Sequence, residues 1–263
     1  MTQKVSFLIG VYRRILRLRY YVSVLGFYPL RISLLSNVPR YLKELSQYKS
    51  RGGFISNYFP VLSENIGLAG TAKGHYFHQD LLVSQYIYAR NPARHVDVGS
   101  RIDGFVAHVA SFRKIEIVDI RPFSPSEHPN IVNKQADLMN VMDLEKTDSL
   151  SCLHAIEHFG LGRYGDPINP DGYLVGFQNL VSMLLPGGIL YISFPIGSKN
   201  EVHFNAHRVF HPTDIFSWGI SNLDLLSFDY VDDLGNLHHN HDLARNVPLL
   251  TYGCGIYTFL KKI

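Results

Sequence analysis

The segment HVDVGSRIDGF, residues 95–105, decides the fold. Its first four residues form an apolar run typical of a buried strand, which ends at Asp97 and Val98. Gly99 follows and allows a tight turn with close approach of the backbone to a ligand. A helix is predicted next, over residues 104–112. Ligands of open α/β sheets bind above such turns, at the carboxyl ends of strands.

Short apolar runs and longer amphipathic segments alternate on either side of this turn, which predicts a parallel sheet with helices on both faces. Two further apolar runs near the C-terminus have no good helix between them and predict an antiparallel hairpin. The predicted fold is a doubly wound α/β domain with a mostly parallel seven-stranded sheet, an antiparallel edge hairpin and an N-terminal helical arm. The predicted strands are 95–98, 115–120, one ending near 136–138, 148–153, 188–194, 223–230 and 255–260, and the predicted helices of this domain are 78–90, 104–112 and 173–185.

The N-terminal part of the chain is strongly basic. Residues 1–51 contain ten basic side chains and a single acidic one, whereas the whole chain has 25 basic and 22 acidic residues. An apolar stripe predicts a helix over residues 5–16, and a second short helix is predicted over 39–48. With a glycine linker at residues 51–54, the chain is predicted to divide into a helical arm, 1–51, and a catalytic domain, 52–263.

A basic arm on an acidic domain favours contact with an anionic partner, and we predict peripheral contact with a membrane surface. The alternative is that the stripe packs on the protein's own core or on a second subunit. No nucleic-acid partner is expected, because the arm lacks a recognisable binding module. The oligomeric state stays open.

The two cysteines, Cys152 and Cys254, exclude a disulfide framework and a paired-cysteine metal motif. No apolar run reaches the roughly 18 residues that a membrane-spanning helix needs. We therefore expect a cytoplasmic protein, with the arm at the inner face of the membrane.

Two further acids follow predicted strands. Asp119 closes the strand IEIVD, and a carboxylate there can accept hydrogen bonds from ribose hydroxyls. Asp137 lies where a third strand should end. Together with Asp97, Gly99 and Ser100 they predict a nucleotide cofactor, whose anionic end would meet the helix N-terminus. The turn lacks the G-x-G-x-x-G pattern of nicotinamide sites.

Histidines cluster near the expected rim of this site. His154 and His158 are four residues apart in HAIEHFG, so they would share a face of a helix, next to Glu157. Histidine suits the task of taking a proton from a hydroxyl. We predict His158 as the base, with Glu157 and His207 in the catalytic set and His203 as a further alternative. Because Glu157, His158 and His207 lack zinc-like spacing, no metal is predicted.

The loop GLGRYGDPINPDGY, residues 160–173, is long and rich in glycine, proline and aspartate. Loops of this kind at strand ends often form lids or acceptor sites. Arg163 and Asp166 are predicted to bind substrate hydroxyls or a phosphate, together with His203. The alternative is a rigid surface loop.

The order of these features resembles the class I S-adenosylmethionine-dependent methyltransferases. The motifs GHYFHQDL, HVDVGSRIDGF, LHAIEHFGLGRYGDP, LPGGILYISFPIG, FNAHRVF and YGCGIYTF resemble more closely an uncharacterised family, a domain of unknown function found in bacterial surface-polysaccharide loci and some eukaryotes. The resemblance covers roughly residues 74–261. It implies S-adenosylmethionine as the cofactor, with Asp97, Gly99 and Ser100 in the cofactor loop, Asp119 at the ribose, Asp137 at the adenine and His154 beside the cofactor.

Two residues depart from the methyltransferase pattern. Arg101 and Asp103 stand where glycines are expected, and their side chains would crowd or contact the methionyl end of the cofactor. The predicted function is methyl transfer to a hydroxyl of a sugar or glycan intermediate, in polysaccharide biosynthesis. The alternatives are a non-catalytic, methyltransferase-like binding or scaffold protein and a nicotinamide-dependent oxidoreductase.

Overall fold

The protein is described by a computed structural model that covers residues 22–24, 26, 28–64, 69–140 and 145–263. The chain divides into two compact units, Met1–Thr71 and Ala72–Ile263. This division lies C-terminal to the linker predicted at residues 51–54, and the assignment of 1–51 as an arm stays a prediction. The helix predicted over residues 5–16 lies outside the described residues. Within the described ranges, no helix has the length and apolar character needed to cross a membrane.

The first unit contains a 3₁₀ helix, Pro29–Asn37, that runs into helix α1, Val38–Ser50. The short helix predicted over 39–48 is therefore present. Each helix has a proline in its first turn, where the missing N–H has no intrahelical partner to lose. Helix α1 has no fully buried side chain.

The second unit contains a main sheet of eight strands and a separate two-stranded sheet, β6 with β7. Its strands lie in the order β3-β2-β1-β4-β5-β10-β8-β9. Strands β1 to β5 pair in parallel, and β10, β8 and β9 continue the sheet in antiparallel fashion. The strands are β1 His95–Val98, β2 Ile115–Asp119, β3 Ile131–Gln135, β4 Thr147–Leu153, β5 Leu184–Ile196, β6 Glu201–His203, β7 His207–Val209, β8 Leu223–Val231, β9 Leu237–His238 and β10 Gly253–Lys261.

The predicted doubly wound fold with its antiparallel edge is confirmed. The main sheet has one strand more than predicted, because β9 has only two residues and is too short to show periodicity. The chain runs from β1 outward through β2 and β3, then returns to β4 on the other side of β1. The strand order therefore reverses between β1 and β4, and this switch point is where open α/β sheets bind ligands.

The helical segments described in this unit are α2 His75–Arg90, a π turn Ile102–Val106 continued by α3 Ala107–Ala110, α4 Gly172–Met183, and two short 3₁₀ helices, Ile156–His158 and Asp214–Ser217. The helix predicted over residues 173–185 is present, but its predicted C-terminal end is wrong. Helix α4 already ends at Met183, since Leu184 pairs with Thr147 and begins β5.

The core lies on both faces of the main sheet. On one face, Phe177 of α4 packs with Phe194 and Trp218, all of them buried. On the other face, Ile87 of α2 and Phe105 pack against the central strands. Burial of each such side chain contributes about 1.5–3 kcal/mol, so the two layers hold the switch point in place.

Candidate active-site cleft

A cleft opens at the carboxyl ends of β1 to β4, at the switch point. Its inner pocket, which is partly open to solvent, is lined by residues that include Gly99, Asp119, Asp137 and His154. These four follow or end β1, β2, β3 and β4. Next to it lies an outer hollow, lined by residues that include His75, Tyr76, Arg163, His207 and Tyr252. Gly99, Arg121, His154, His158 and Tyr164 line both, so the two form one continuous cleft.

The turn after β1 takes a conformation that glycine favours. Gly99 has φ +71, and a Cβ there would lie 2.9 Å from the Cβ of Ala155. Fully buried Asp97 accepts hydrogen bonds from the backbone N–H of Ser100 (3.1 Å) and from the hydroxyls of Ser100 (2.7 Å) and Ser151 (2.5 Å). Burial raises the pKa of Asp97 to about 6, although the hydrogen bonds from Ser100 and Ser151 act in the opposite direction. Asp97 does not line the cleft; it holds the shape of the turn, while Gly99 and Ser100 face the cleft.

Asp119 and Asp137 both face the inner pocket. The carboxylate of Asp119 is engaged by the guanidinium of Arg121, with Nε 2.9 Å from Oδ1 and Nη2 2.6 Å from Oδ2. The backbone N–H of Arg121 also donates to Oδ1, at 2.8 Å. A carboxylate has about four lone-pair sites, so Asp119 keeps one free acceptor site, on Oδ2. Asp137 accepts hydrogen bonds from the backbone of Met139 (2.9 Å) and the side chain of Asn140 (2.7 Å).

Glu157 is the most deeply buried of the described acids that line the cleft, with 1% of its surface exposed. Its Oε1 lies 2.9 Å from Nδ1 of His154 and 3.7 Å from Nε2 of His158. Burial acts to raise the pKa of Glu157, but the hydrogen bond and charge of His154 outweigh it, so this pKa is lowered. For His154, burial acts to lower the pKa, but Cys254 and Glu157 outweigh it and hold the pKa well above its ordinary value.

His158 lines both parts of the cleft. Its Nδ1 donates to the carbonyl of Ala206 at 2.7 Å, which leaves the lone pair on Nε2. Burial lowers the pKa of His158, with Glu157 opposing the shift and Arg163 adding to it. The ring is therefore neutral at pH 7 and able to accept a proton.

The other two predicted histidines differ in position. His207 lines the outer hollow, and its buried Nε2 finds no hydrogen-bond partner among the described residues. Burial first, and then the charge of His203, lowers the pKa of His207 to about 4. His203 is exposed, does not line the cleft, and pairs with Glu201 at 2.9 Å. It reaches the site only through the ring of His207, 4.9 Å away.

The loop over residues 160–173 is folded around Asp166. The Oδ2 of Asp166 accepts the backbone N–H groups of Gly160 (2.8 Å) and Gly162 (3.1 Å), and Oδ1 accepts that of Tyr164 (3.1 Å). Asp166 therefore shapes the loop at the edge of the inner pocket. Arg163 faces the outer hollow and donates to the carbonyl of Ala206 at 2.8 Å.

Arg101 and Asp103 bind each other at 2.9 Å. Arg101 lines the outer hollow and stacks over Tyr76, with 4.9 Å from the guanidinium carbon to the ring centroid. Asp103 lines neither part of the cleft. The inner pocket is thus free of both side chains.

Sequence reasoning missed several residues of the cleft. His75 stacks on His154 (5.4 Å between centroids) and on Tyr252 (5.5 Å), and Tyr76 lies 5.0 Å from His154. Cys254 is fully buried close to His75 and His154. The four missed residues, His75, Tyr76, Tyr252 and Cys254, belong to the motifs GHYFHQDL and YGCGIYTF. These motifs indicated that the segments matter but not which of their residues line the cleft. Arg121 gave no signal, because its role depends on its pairing with Asp119.

Comparison with known proteins identifies the fold class. A family described as "Caenorhabditis protein of unknown function, DUF268" matches residues 128–233, less than half of the chain. Comparison with curated proteins found no match. The structure is similar to the 1,6-didemethyltoxoflavin-N1-methyltransferase of Burkholderia thailandensis, which was crystallised with its didemethyltoxoflavin and S-adenosylhomocysteine (TM-score 0.51, 15% identity, 70% of this chain and 79% of that one). It is also similar to the [4+2]-cyclase SpnF (TM-score 0.51, 11% identity, 88% and 97%). The chain therefore has the fold of the class I methyltransferases.

Proposed function

We propose that the protein is an S-adenosylmethionine-dependent methyltransferase whose inner pocket holds the cofactor. One observation carries the proposal: the glycine turn after β1, the acid that ends β2 and the acid that follows β3 line a single pocket at the switch point. In this assignment Gly99 lies against the methionyl part, Asp119 binds the ribose hydroxyls and Asp137 accepts from the adenine amino group. Gly99 lines this pocket without a side chain, so a cofactor can approach its backbone closely.

The buried residues around the cofactor have separate roles in this proposal. Asp97 positions the turn through its hydrogen bonds to Ser100. His154 flanks the cofactor beside Glu157, and Glu157 in turn lies within 3.7 Å of His158.

The outer hollow is proposed as the acceptor site. It joins the inner pocket at His158, so an acceptor bound there would lie next to the transferable methyl group. A hydroxyl acceptor would lose its proton to Nε2 of His158 as its oxygen bonds to the methyl carbon and the bond from that carbon to sulfur breaks, leaving S-adenosylhomocysteine. Alignment of the two reacting atoms provides most of the rate gain for such a transfer.

We propose a sugar or glycan intermediate as the acceptor. The hollow combines the cation Arg163, the amphipathic ring Tyr252 and the imidazole His207, a set that suits a polyhydroxylated ligand. The resemblance of the sequence motifs to a family from surface-polysaccharide loci points to the same class of acceptor.

A second candidate is a binding protein with this fold that transfers no methyl group. Arg121 supports it, because its backbone and guanidinium take up most of the acceptor sites of the carboxylate that would bind ribose. The similarity to the cyclase SpnF is a reminder that this fold is not restricted to methyl transfer.

A transfer assay separates the two candidates. The protein is incubated with methyl-labelled S-adenosylmethionine together with one class of acceptor in each reaction. The classes are nucleotide sugars, free oligosaccharides and lipid-linked glycans. The expected result is label in one acceptor class with equimolar S-adenosylhomocysteine. Tight cofactor binding without transfer to any of these acceptors would favour the binding protein.

A further inference from the structure

A cluster of three metal-ligating side chains lies at the wall of the outer hollow, and two of them, His75 and Cys254, have no role in the proposed methyl transfer. One nitrogen each of His75 and His154 and the Sγ of Cys254 lie within 4.8 Å of one another. The three come from different elements: His75 begins α2, His154 follows β4 and Cys254 lies at the start of β10. We propose that these side chains hold a divalent transition-metal ion, foremost Zn²⁺.

The donor set fits this ion. Zinc sites use cysteine and histidine ligands, and sites with three protein ligands keep a fourth position open. With Zn–N near 2.0 Å and Zn–S near 2.3 Å, a tetrahedral ion holds its donors about 3.3–3.6 Å apart. The distances between the three donor atoms therefore need to shorten by only about 1 Å. His75 can make this movement, because it is half-buried and is the first residue of its helix.

Among the three side chains, His154 gives the strongest evidence for a bound ligand. It is 9% exposed, and its Nε2 has no hydrogen-bond partner among the described residues. Its backbone φ of +49 is uncommon for a residue other than glycine and holds the ring in this position. A buried nitrogen without a partner is costly, and coordination of a metal ion would remove that cost.

His154 has the outer carboxylate partner that metal-bound histidines commonly have. Nδ1 of His154 lies 2.9 Å from the carboxylate of Glu157, which leaves Nε2 for the ion. The ring of His75 stacks on that of Tyr252, with 5.5 Å between centroids, and this contact orients it. A carboxylate behind a ligating imidazole, as at His154, fixes its tautomer and orientation.

The open position of the ion faces the cleft, because His75 and His154 both line the outer hollow. An oxygen of the acceptor is the ligand class that suits this position. The binding of an acceptor oxygen to the ion rests on the proposed function, whereas the metal site itself does not.

The test is metal binding by the full-length protein, purified without a histidine tag, stripped with a chelator and titrated with Co²⁺ without S-adenosylmethionine. The expected result is a single bound Co²⁺ with thiolate-to-metal charge-transfer absorption, displaced by Zn²⁺. Cys254→Ala should abolish the absorption, whereas Cys152→Ala, the matched change at the other buried cysteine, should keep it. Glu157→Gln should weaken Zn²⁺ binding by about 10–100-fold.

His75→Gln serves as the second variant, because His75 is less buried than Cys254 and its loss disturbs the core less. It should lower the affinity for Co²⁺ while circular dichroism and the melting curve stay unchanged. His239→Gln, in a histidine-rich segment away from the cleft, should have no effect. The proposal is overturned if wild-type protein binds no Co²⁺, or if the charge-transfer band survives in Cys254→Ala. Metal binding without S-adenosylmethionine binding would uphold the metal site and remove the proposed function.

Discussion

At the residue scale, the pairing of Asp119 with Arg121 bears directly on the proposed cofactor site. If Asp119 binds ribose hydroxyls, Asp119→Ala should weaken S-adenosylhomocysteine binding by about 1.5–3 kcal/mol, the range for hydrogen bonds to a charged group. Isothermal titration calorimetry measures this change. Glu116→Ala is the matched control, since Glu116 lies on the same strand with its own bidentate arginine, Arg94, outside the cleft. Equal losses in both variants would argue against a ribose contact.

His158 carries the proposed proton transfer. His158→Gln should lower turnover by about 10²–10⁴-fold, the usual loss for a general base, while cofactor affinity is kept. Because the pKa of His158 is lowered, the wild-type base stays neutral at pH 7, and kcat/KM should fall only as the pH drops through a value below 6.5. This acidic limb should vanish in His158→Gln.

The control for His158 is His211→Gln, at a histidine whose Nδ1 bonds to Thr213 and which lines neither part of the cleft. Its turnover and pH profile should equal those of the wild type. An unchanged pH profile in His158→Gln would move the base to His207, whose pKa is lowered to about 4.

At the scale of elements, the positions of the strands could be predicted from the sequence. The contacts between elements could not. The apolar run of β1 was predicted with the observed ends, His95–Val98, because a buried parallel strand bounded by a glycine turn has a strong local pattern. The end of α4 was predicted two residues late, since its stop is set by pairing of β5 with β4, which is not local.

The same contrast holds for the candidate site. The acids at strand ends could be predicted because the position of each depends on its own strand. The cluster of His75, His154 and Cys254 could not, because it joins residues that lie far apart in the chain and meet only when α2, β4 and β10 assemble. The burial of Asp97 away from the cleft likewise depends on Ser151 of the neighbouring strand.

The turn after β1 gives an element-scale prediction. The left-handed backbone conformation of Gly99 costs alanine roughly 1–2 kcal/mol. Gly99→Ala should destabilise the protein by more than this, because the new Cβ also meets Ala155. It should also weaken S-adenosylhomocysteine binding. Gly187→Ala is the control: φ there is +78, but nothing lies within 4 Å of the added Cβ. Urea denaturation and calorimetry compare the two, and equal effects on binding would show that the turn does not contact the cofactor.

At the scale of the whole molecule, the basic N-terminal segment is predicted to bind anionic membranes. Residues 1–51 hold ten basic side chains and one acidic one, and each basic side chain near an anionic leaflet contributes about 1 kcal/mol. The protein should float with anionic vesicles at low salt and not with neutral ones. Replacing Arg13, Arg14 and Arg17 by glutamate should abolish flotation. Unchanged flotation of this variant would contradict the prediction.

Cofactor identity is the central claim, and calorimetry of the full-length protein with S-adenosylhomocysteine, S-adenosylmethionine and NADH tests it most directly. The acids at the ends of β2 and β3 and the glycine turn after β1 predict binding of both adenosyl ligands at one site per chain, in competition with each other. NADH should give no heat of binding, because the turn lacks the glycine pattern that receives a pyrophosphate. Tight binding of NADH with no heat from either adenosyl ligand would contradict the account.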